Sequence, residues 1–132
     1  MIGECERTWN SYVEDFLAGD ARAEYVEPEK VDLSLTPVPD YSSLPRSQIS
    51  QFLSAVVQTS RGCPYDCEFC DCIVFSGRKV RYKPVDTVIA EIDQLHHYGF
   101  RNVFLGDDNF SVNRRKAMET LKARIFALRD SL

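Results

Sequence analysis

The sequence predicts an α/β fold, in which two βα units of a parallel sheet follow a short helix and a proline-rich linker. From residue 50 onward the chain alternates strand, long loop, helix, strand and helix, an order typical of parallel sheets covered by helices. Hydrophobic residues make up 44% of the 132 residues and charged residues 27%, which indicates a globular chain. The charge balance also changes near residue 50: residues 1–50 carry 4 basic and 10 acidic side chains, and residues 51–132 carry 12 and 10.

The first part of the chain is predicted to hold one helix and a linker. Apolar residues at helical spacing predict a helix over Thr8–Leu17, capped by Thr8 and stopped by Gly19. Residues 27–50 carry four prolines, which lack an amide N–H and favour extended backbone, so this segment is predicted to be a linker rather than core. We expect it to be a defined connection with four packing points: Leu33, Leu35, Val38 and Tyr41.

The second part supplies the two βα units. Phe52–Thr59 is rich in β-forming residues and predicts a strand, and Asn102–Leu105 predicts a second, short and buried one. Between them, Pro84–Tyr98 carries an apolar helical face and ends before Gly99. Asn113 is the predicted cap of a last helix. The apolar positions of that helix are Ala117, Met118, Leu121, Ile125 and Leu128.

Composition also excludes several classes of protein. No unbroken apolar run approaches the roughly 20 residues of a transmembrane helix. No charged-then-apolar segment opens the chain, so we expect no signal peptide. A net charge of −4 argues against a nucleic-acid partner held mainly by charge. We therefore expect a cytoplasmic protein with no membrane span and no nucleic-acid partner.

Four of the five cysteines lie within ten residues, at positions 63, 67, 70 and 72. Disulfide frameworks of secreted domains spread their cysteines to staple distant loops, whereas a tight cluster indicates a metal or redox site. The C-x-x-x-C-x-x-C spacing of Cys63, Cys67 and Cys70 lets three thiolates hold three corners of one 4Fe–4S cluster. A fourth iron would then be open to a substrate or cofactor.

Other uses of these thiols stay open at this point. A zinc site could take all four clustered cysteines, although zinc usually draws two ligand pairs from separated elements. Cys67 and Cys70 could instead form a redox pair, which would leave Cys63 unexplained. The candidate classes are thus an iron–sulfur enzyme, a small non-catalytic iron–sulfur or zinc binding module, and a thiol redox protein.

The cysteine motif resembles that of one large family. Cys63-x-x-x-Cys67-x-Phe69-Cys70, placed after a strand that opens an α/β unit, is similar to the motif of the radical S-adenosylmethionine (SAM) superfamily. Other segments resemble the cobalamin-binding branch of that superfamily, including the end of its cobalamin domain and its linker. These segments are Ile2–Glu6, the helix from Trp9, Thr36–Pro39, Gln58–Asp71, Gly77–Arg81 and Asp107–Phe110.

The resemblance implies a site and a reaction. It implies that Cys63, Cys67 and Cys70 hold a 4Fe–4S cluster, whose open iron binds SAM and whose electron cleaves it to methionine and a 5′-deoxyadenosyl radical. Phe69 would lie near the adenine. Gly106, Asp107 and Asp108 occupy the place of the family's Gly-Gly-Glu motif, which contacts the SAM amino group. The implied partners are an electron donor such as a flavodoxin or ferredoxin and a small-molecule substrate that the sequence does not identify.

The resemblance also divides the chain. Residues 1–26 would be the remnant of an N-terminal cobalamin-type domain, 27–50 the linker, and 51–132 the start of a radical SAM core, that is, the first two βα units of a partial (β/α) barrel. A full barrel of eight units takes about 250 residues, so we expect the chain to be a fragment. We expect it to bind no cobalamin, because the Asp-x-His-x-x-Gly ligand motif of the branch does not occur in it.

The remaining chemically active residues are predicted to have ordinary roles. Cys5 and Cys72 are expected to be small packed residues rather than cluster ligands. His96 and His97 are expected to lie on the surface. Four cations form a basic run in which most side chains are expected to be solvated, although one could meet an anionic ligand: Arg78, Lys79, Arg81 and Lys83.

Overall fold

A computed structural model describes residues 1–49 and 51–129, with side chains described as far as residue 123. Its elements follow in the order α1 (Trp9–Ala18), a 3-10 turn (Leu33–Leu35), α2 (Arg46–Ile49), β1 (Ala55–Val57), β2 (Ser60–Arg61), α3 (Cys72–Ser76), β3 (Arg81–Tyr82), α4 (Val85–Tyr98), β4 (Val103–Leu105) and α5 (Arg114–Arg129). Residue 50 and residues 130–132 fall outside this description, as do the side chains of Ile125 and Leu128, which were predicted to pack. No helix within the described ranges is both long and apolar enough to cross a membrane.

The strands β1 and β4 form a parallel pair, with Ala55 opposite Val103 and Val57 opposite Leu105. Parallel neighbours need a long crossover connection, and here that connection contains α4. The buried core between α4 and this pair consists of Ile49, Ala55, Val57, Val88, Leu95 and Phe100. The predicted α/β architecture is therefore confirmed, with helices against one face of a parallel sheet.

The predicted helices are found, with bounds shifted by at most a residue at the ends that can be compared. The helix α4 starts after Pro84 and ends at Gly99, whose φ of +107° is the left-handed conformation that glycine adopts readily. Asn113 caps α5, since its Oδ1 accepts a hydrogen bond from the Lys116 N–H at 3.2 Å. The helix α1 ends before Gly19 as predicted, but none of its residues is buried.

Both predicted strands are shorter or more exposed than expected. The first was predicted over Phe52–Thr59, yet only Ala55–Val57 pair, and Phe52 and Leu53 lie exposed before the strand. In β4, Phe104 is exposed and Val103 and Leu105 are only half-buried, so the prediction of a buried strand is wrong. Side chains alternate between the faces of a strand, and helices cover only one face of this pair.

The predicted linker contributes to the interior more than its prolines suggested. Val31 and Leu33 are buried, and Tyr41 packs against the core cluster. Leu35 is exposed, so its predicted packing role is wrong. The prediction of a segment outside the core is therefore also wrong in part. Proline restricts backbone geometry but does not prevent the apolar side chains between prolines from packing.

Two elements that the sequence analysis did not predict surround the cysteine motif. The strands β2 and β3 pair antiparallel, with Ser60 opposite Tyr82 and Arg61 opposite Arg81. The short helix α3 lies inside the loop that they close. The motif is therefore held between two paired strands, directly after β1.

Candidate functional site

The loop over residues 62–80, here called the cysteine loop, is closed at its base by backbone contacts. The N–H of Cys63 donates to the carbonyl oxygen of Gly77 at 3.1 Å. Gly62 has a φ of +99°, and a Cβ on it would lie 2.6 Å from the carbonyl oxygen of Lys79. Only glycine combines this conformation with so close an approach of the two chain segments. The base of the loop therefore depends on Gly62.

The three motif cysteines are free thiols within this loop: Cys63 is buried, Cys70 half-buried and Cys67 exposed. A turn joins the last two, with the Cys70 N–H donating to the Cys67 carbonyl at 3.0 Å. Among the described side chains, no three His, Cys, Asp or Glu converge on a point suited to a single metal ion. A 4Fe–4S cluster does not require its cysteines to converge on one point, because each cysteine binds a separate iron. Three soft thiol donors on one closed loop fit such a cluster.

Cys72 stands at the first position of α3, beside the motif. A side-chain hydrogen bond with Cys70 raises the pKa of Cys72 to about 12, and burial and the charges of Cys70, Asp108 and Cys63 act in the same direction. The prediction that Cys72 is not a cluster ligand stays a prediction.

Asp107 follows β4 and reaches across to the residues after β1. Its Oδ1 accepts the backbone N–H groups of Thr59 and Ser60 at 2.6 and 3.1 Å, and its Oδ2 accepts their two hydroxyls at 2.5 and 2.8 Å. Parallel strands end at the same edge of a sheet, which places these residues side by side. The carboxylate thus fixes the chain two and three residues before the cysteine loop. Thr59 and Ser60 were not among the predicted site residues, although a Thr-Ser pair after a strand offers the four donors that such a carboxylate needs.

Asp108 and Gly106 complete this edge of the sheet. The Asp108 Oδ2 accepts the N–H of Gly62 at 2.7 Å, directly before Cys63. Gly106 donates its N–H to the Val57 carbonyl at 2.9 Å, and a Cβ on it would lie 2.7 Å from a methyl of Val56. The sequence prediction that the residues after β4 lie beside the cysteine loop is therefore confirmed. Their predicted contacts with SAM stay predictions.

The outer side of the cysteine loop carries exposed apolar groups. The ring of Phe69 is 92% exposed, and Tyr65, Val74 and Phe75 are also exposed. A cavity of about 760 Å³ lies nearby, between the N-terminal residues and the end of β1. Its wall includes Trp9, Gln58, Arg61 and Phe75. Ligand-sized space therefore adjoins the loop on the side of the N-terminal segment.

Other candidates from the sequence lie elsewhere or have other roles. Arg81 forms a buried ion pair with Glu4, and Lys83 forms one with Glu91. The expectation that these two residues belong to a solvated basic run is therefore wrong. Arg78 is exposed and pairs with Asp66 of the loop. His96 and His97 are exposed, as predicted. Cys5 is half-buried and lies at the cavity wall rather than in the cysteine loop.

These features define a class of protein: an α/β domain whose first strand leads into a loop with a three-cysteine motif of free thiols, beside the end of the neighbouring parallel strand. The family model described as the radical SAM superfamily matches residues 57–129. The chain belongs to this superfamily, and the resemblance inferred from its cysteine spacing is confirmed.

Several similar proteins are named as methyltransferases or methylases. An uncharacterised methyltransferase of Synechocystis sp. is 40% identical over 92% of this chain and 22% of its own length. The hopanoid C-2 methylase of Rhodopseudomonas palustris is 38% identical over 70% of this chain and 17% of its own length. An uncharacterised methyltransferase of Pyrococcus horikoshii is 34% identical over 76% of this chain and 23% of its own length. The chain spans about a fifth of the length of these curated relatives.

A solved structure supports the fold. The cobalamin-dependent SAM radical enzyme OxsB, with aqua-cobalamin and SAM bound, matches 89% of this chain and 19% of its own chain, with a TM-score of 0.62 and 21% identity. The described elements are therefore arranged as in part of a radical SAM enzyme, which agrees with the predicted partial barrel.

Proposed function

We propose that this chain is the cluster-binding part of a radical SAM enzyme, in which Cys63, Cys67 and Cys70 hold one 4Fe–4S cluster. The observation that carries the proposal is the closed cysteine loop after β1, which presents the three motif cysteines as free thiols beside the end of β4. Such a cluster supplies an open iron and an electron for the cleavage of SAM to methionine and a 5′-deoxyadenosyl radical. The residues of the chain bind the cluster, orient SAM and limit access of water.

Asp108 is the residue that we propose to assist SAM binding. Its Oδ2 holds the Gly62 N–H, and within the described part of the chain its Oδ1 has no hydrogen-bond donor. A carboxylate oxygen in that position suits the ammonium group of SAM, which is a strong donor. Asp107 has both oxygens engaged with Thr59 and Ser60, so we propose that it supports the site without touching SAM. The exposed ring of Phe69 is the proposed surface for the adenine.

For the whole protein we propose methyl transfer as the reaction class, since the relatives named above are called methyltransferases or methylases. An electron donor such as a flavodoxin or ferredoxin would supply the electron in a cytoplasmic setting. We propose no cobalamin binding by this chain itself. Its own part of the reaction is cluster binding and SAM binding.

Anaerobic reconstitution with iron and sulfide tests the cluster. The chain should take up about four irons, and Cys→Ala at 63, 67 or 70 should abolish that uptake. Cys5→Ala and Cys72→Ser are matched controls, because they remove a thiol outside the proposed ligand set. Both controls should keep the wild-type absorption and electron paramagnetic resonance (EPR) spectra.

Two results would contradict the proposal. Stoichiometric zinc without iron uptake would indicate a zinc binding module. Loss of the cluster in Cys72→Ser would indicate four thiolate ligands and no open iron for SAM.

A further inference from the structure

A buried ion cluster joins the N-terminal segment to the strands that close the cysteine loop. The Glu4 side chain has 0% exposure, and carboxylates are rarely buried unless they are paired. Arg81 Nη1 and Nη2 donate to the two carboxylate oxygens of Glu4 at 2.7 and 2.5 Å, and the Val31 N–H donates to Oε2 at 2.8 Å. Burial raises the pKa of the Glu4 carboxyl, but these hydrogen bonds and the charges of Arg81 and Arg61 outweigh it, so that pKa lies below its ordinary value.

The strand pairing itself creates the need for this carboxylate. Arg61 of β2 lies directly opposite Arg81 of β3, and like charges in that position destabilise a strand pair. Arg61 Nη1 lies 3.8 Å from Glu4 Oε2 and 2.5 Å from Glu6 Oε1. Two acidic residues of the N-terminal segment therefore neutralise the pair of arginines at the base of the loop.

Arg81 also contacts the far end of the cysteine loop. Its Nη2 donates to the carbonyl oxygen of Ser76 at 3.0 Å, at the end of α3. The next residue, Gly77, accepts the N–H of Cys63. A short chain of contacts thus runs from Glu4 through Arg81 to Ser76 and Gly77, and from there to the first motif cysteine.

We propose that Glu4 is a positioning residue for the 4Fe–4S cluster. It acts through Arg81 to keep the base of the cysteine loop closed. The inference rests on the proposed function and adds a residue to it that lies outside the matched family segment, 59 positions before Cys63. The contact between Glu4 and Arg81 couples the N-terminal segment to the 4Fe–4S cluster. Displacing the segment loosens the loop and changes the surroundings of the cluster.

The test uses the full chain after anaerobic reconstitution, with Glu4→Gln as the variant and Glu29→Gln as the matched control. Glu29 pairs with Arg7 at the surface and has no contact with Arg81, so its variant should behave as wild type. Glu4→Gln should bind the same amount of iron but release it to a chelator about tenfold faster or more. The reason is that a charged hydrogen bond between residue 4 and Arg81 is lost. Its reduced cluster should also give a changed EPR spectrum, and Glu4→Asp should restore part of both properties.

Arg81→Lys keeps the test decisive if Glu4→Gln does not fold, because a lysine keeps the charge but has a single nitrogen in place of the two that contact both carboxylate oxygens of Glu4. It should also release iron faster. Wild-type iron release and EPR spectra in the folded variants would overturn the inference, even if their melting temperatures fell. Absence of iron in the wild-type chain would instead overturn the proposed function, and this inference with it.

Discussion

The carboxylate of Asp107 accepts four hydrogen bonds from two consecutive residues, Thr59 and Ser60. Two of the donors are backbone N–H groups, which must be paired when they are withdrawn from water. Asp107 therefore acts on the chain that leads into the cysteine loop, whereas the family resemblance predicted that it contacts SAM. Asp108 makes one such contact and is exposed, which leaves it free for a ligand.

Asp107→Asn should destabilise the chain more than Asp108→Asn does. An amide has a single acceptor oxygen, so at least one buried donor loses its partner, and the free energy of unfolding should fall by about 1–3 kcal/mol. Asp108→Asn removes charge from one exposed contact and should cost about 1 kcal/mol or less. Urea denaturation of the full chain measures both. Equal losses in the two variants would argue against the supporting role of Asp107.

At the scale of elements, the pairing of β2 with β3 brings the two ends of the cysteine loop together. Each strand has two residues, so the pairing alone fixes little chain. The close approach of Gly62 to the backbone of residues 77 and 79 adds the contact that closes the base. Gly19 makes a useful comparison, because its φ is also positive but a Cβ added to it would meet no atom within 4 Å.

Gly62→Ala should cost about 2–4 kcal/mol, because the positive φ is strained and the new methyl meets a carbonyl oxygen. Gly19→Ala should cost about 1–2 kcal/mol, from the strained conformation alone. Thermal unfolding compares the two variants, and iron content after reconstitution separates them further. Only Gly62→Ala should lose iron; full iron content in that variant would show that the loop base is not needed for the cluster.

The molecule as a whole has an uneven distribution of apolar surface. Helix α4 covers one face of the β1–β4 pair, and on the strands themselves Val56 is 58% and Phe104 63% exposed. Phe52 and Leu53, which precede β1, are exposed as well. Exposed apolar groups of this size on neighbouring strands form a patch that soluble proteins usually cover.

This patch should bind an apolar fluorescent dye, and the double variant Val56→Thr with Phe104→Thr should bind clearly less of it. Threonine is β-branched and suits strands, and both positions are exposed, so each substitution should change stability by only about 0.5 kcal/mol. Leu17→Thr on α1 is the matched control, since Leu17 is exposed on another element. Equal dye binding by the double variant and the control would show that the strand face is not the binding surface.

The sequence by itself determined the order of the three long helices and of the strands β1 and β4, as well as the three motif cysteines, because these features are encoded locally. Helical spacing and the flanking Pro84 and Gly99 define α4 within a few turns of chain, and the cysteine spacing is contained in eight residues. Strand ends were harder to predict. Phe52 and Phe104 have strand-like surroundings, but their exposure depends on which face the helices cover.

Only the tertiary structure decided which polar residues support the site. Glu4 and Arg81 are 77 positions apart, and Thr59 and Asp107 are 48 positions apart. No local pattern links such residues, because their contact depends on the parallel pairing of β1 with β4 and on the antiparallel pairing of β2 with β3. Motifs that act through neighbours in the chain can be recognised in a sequence, whereas partners brought together by strand pairing appear only once the chain is folded.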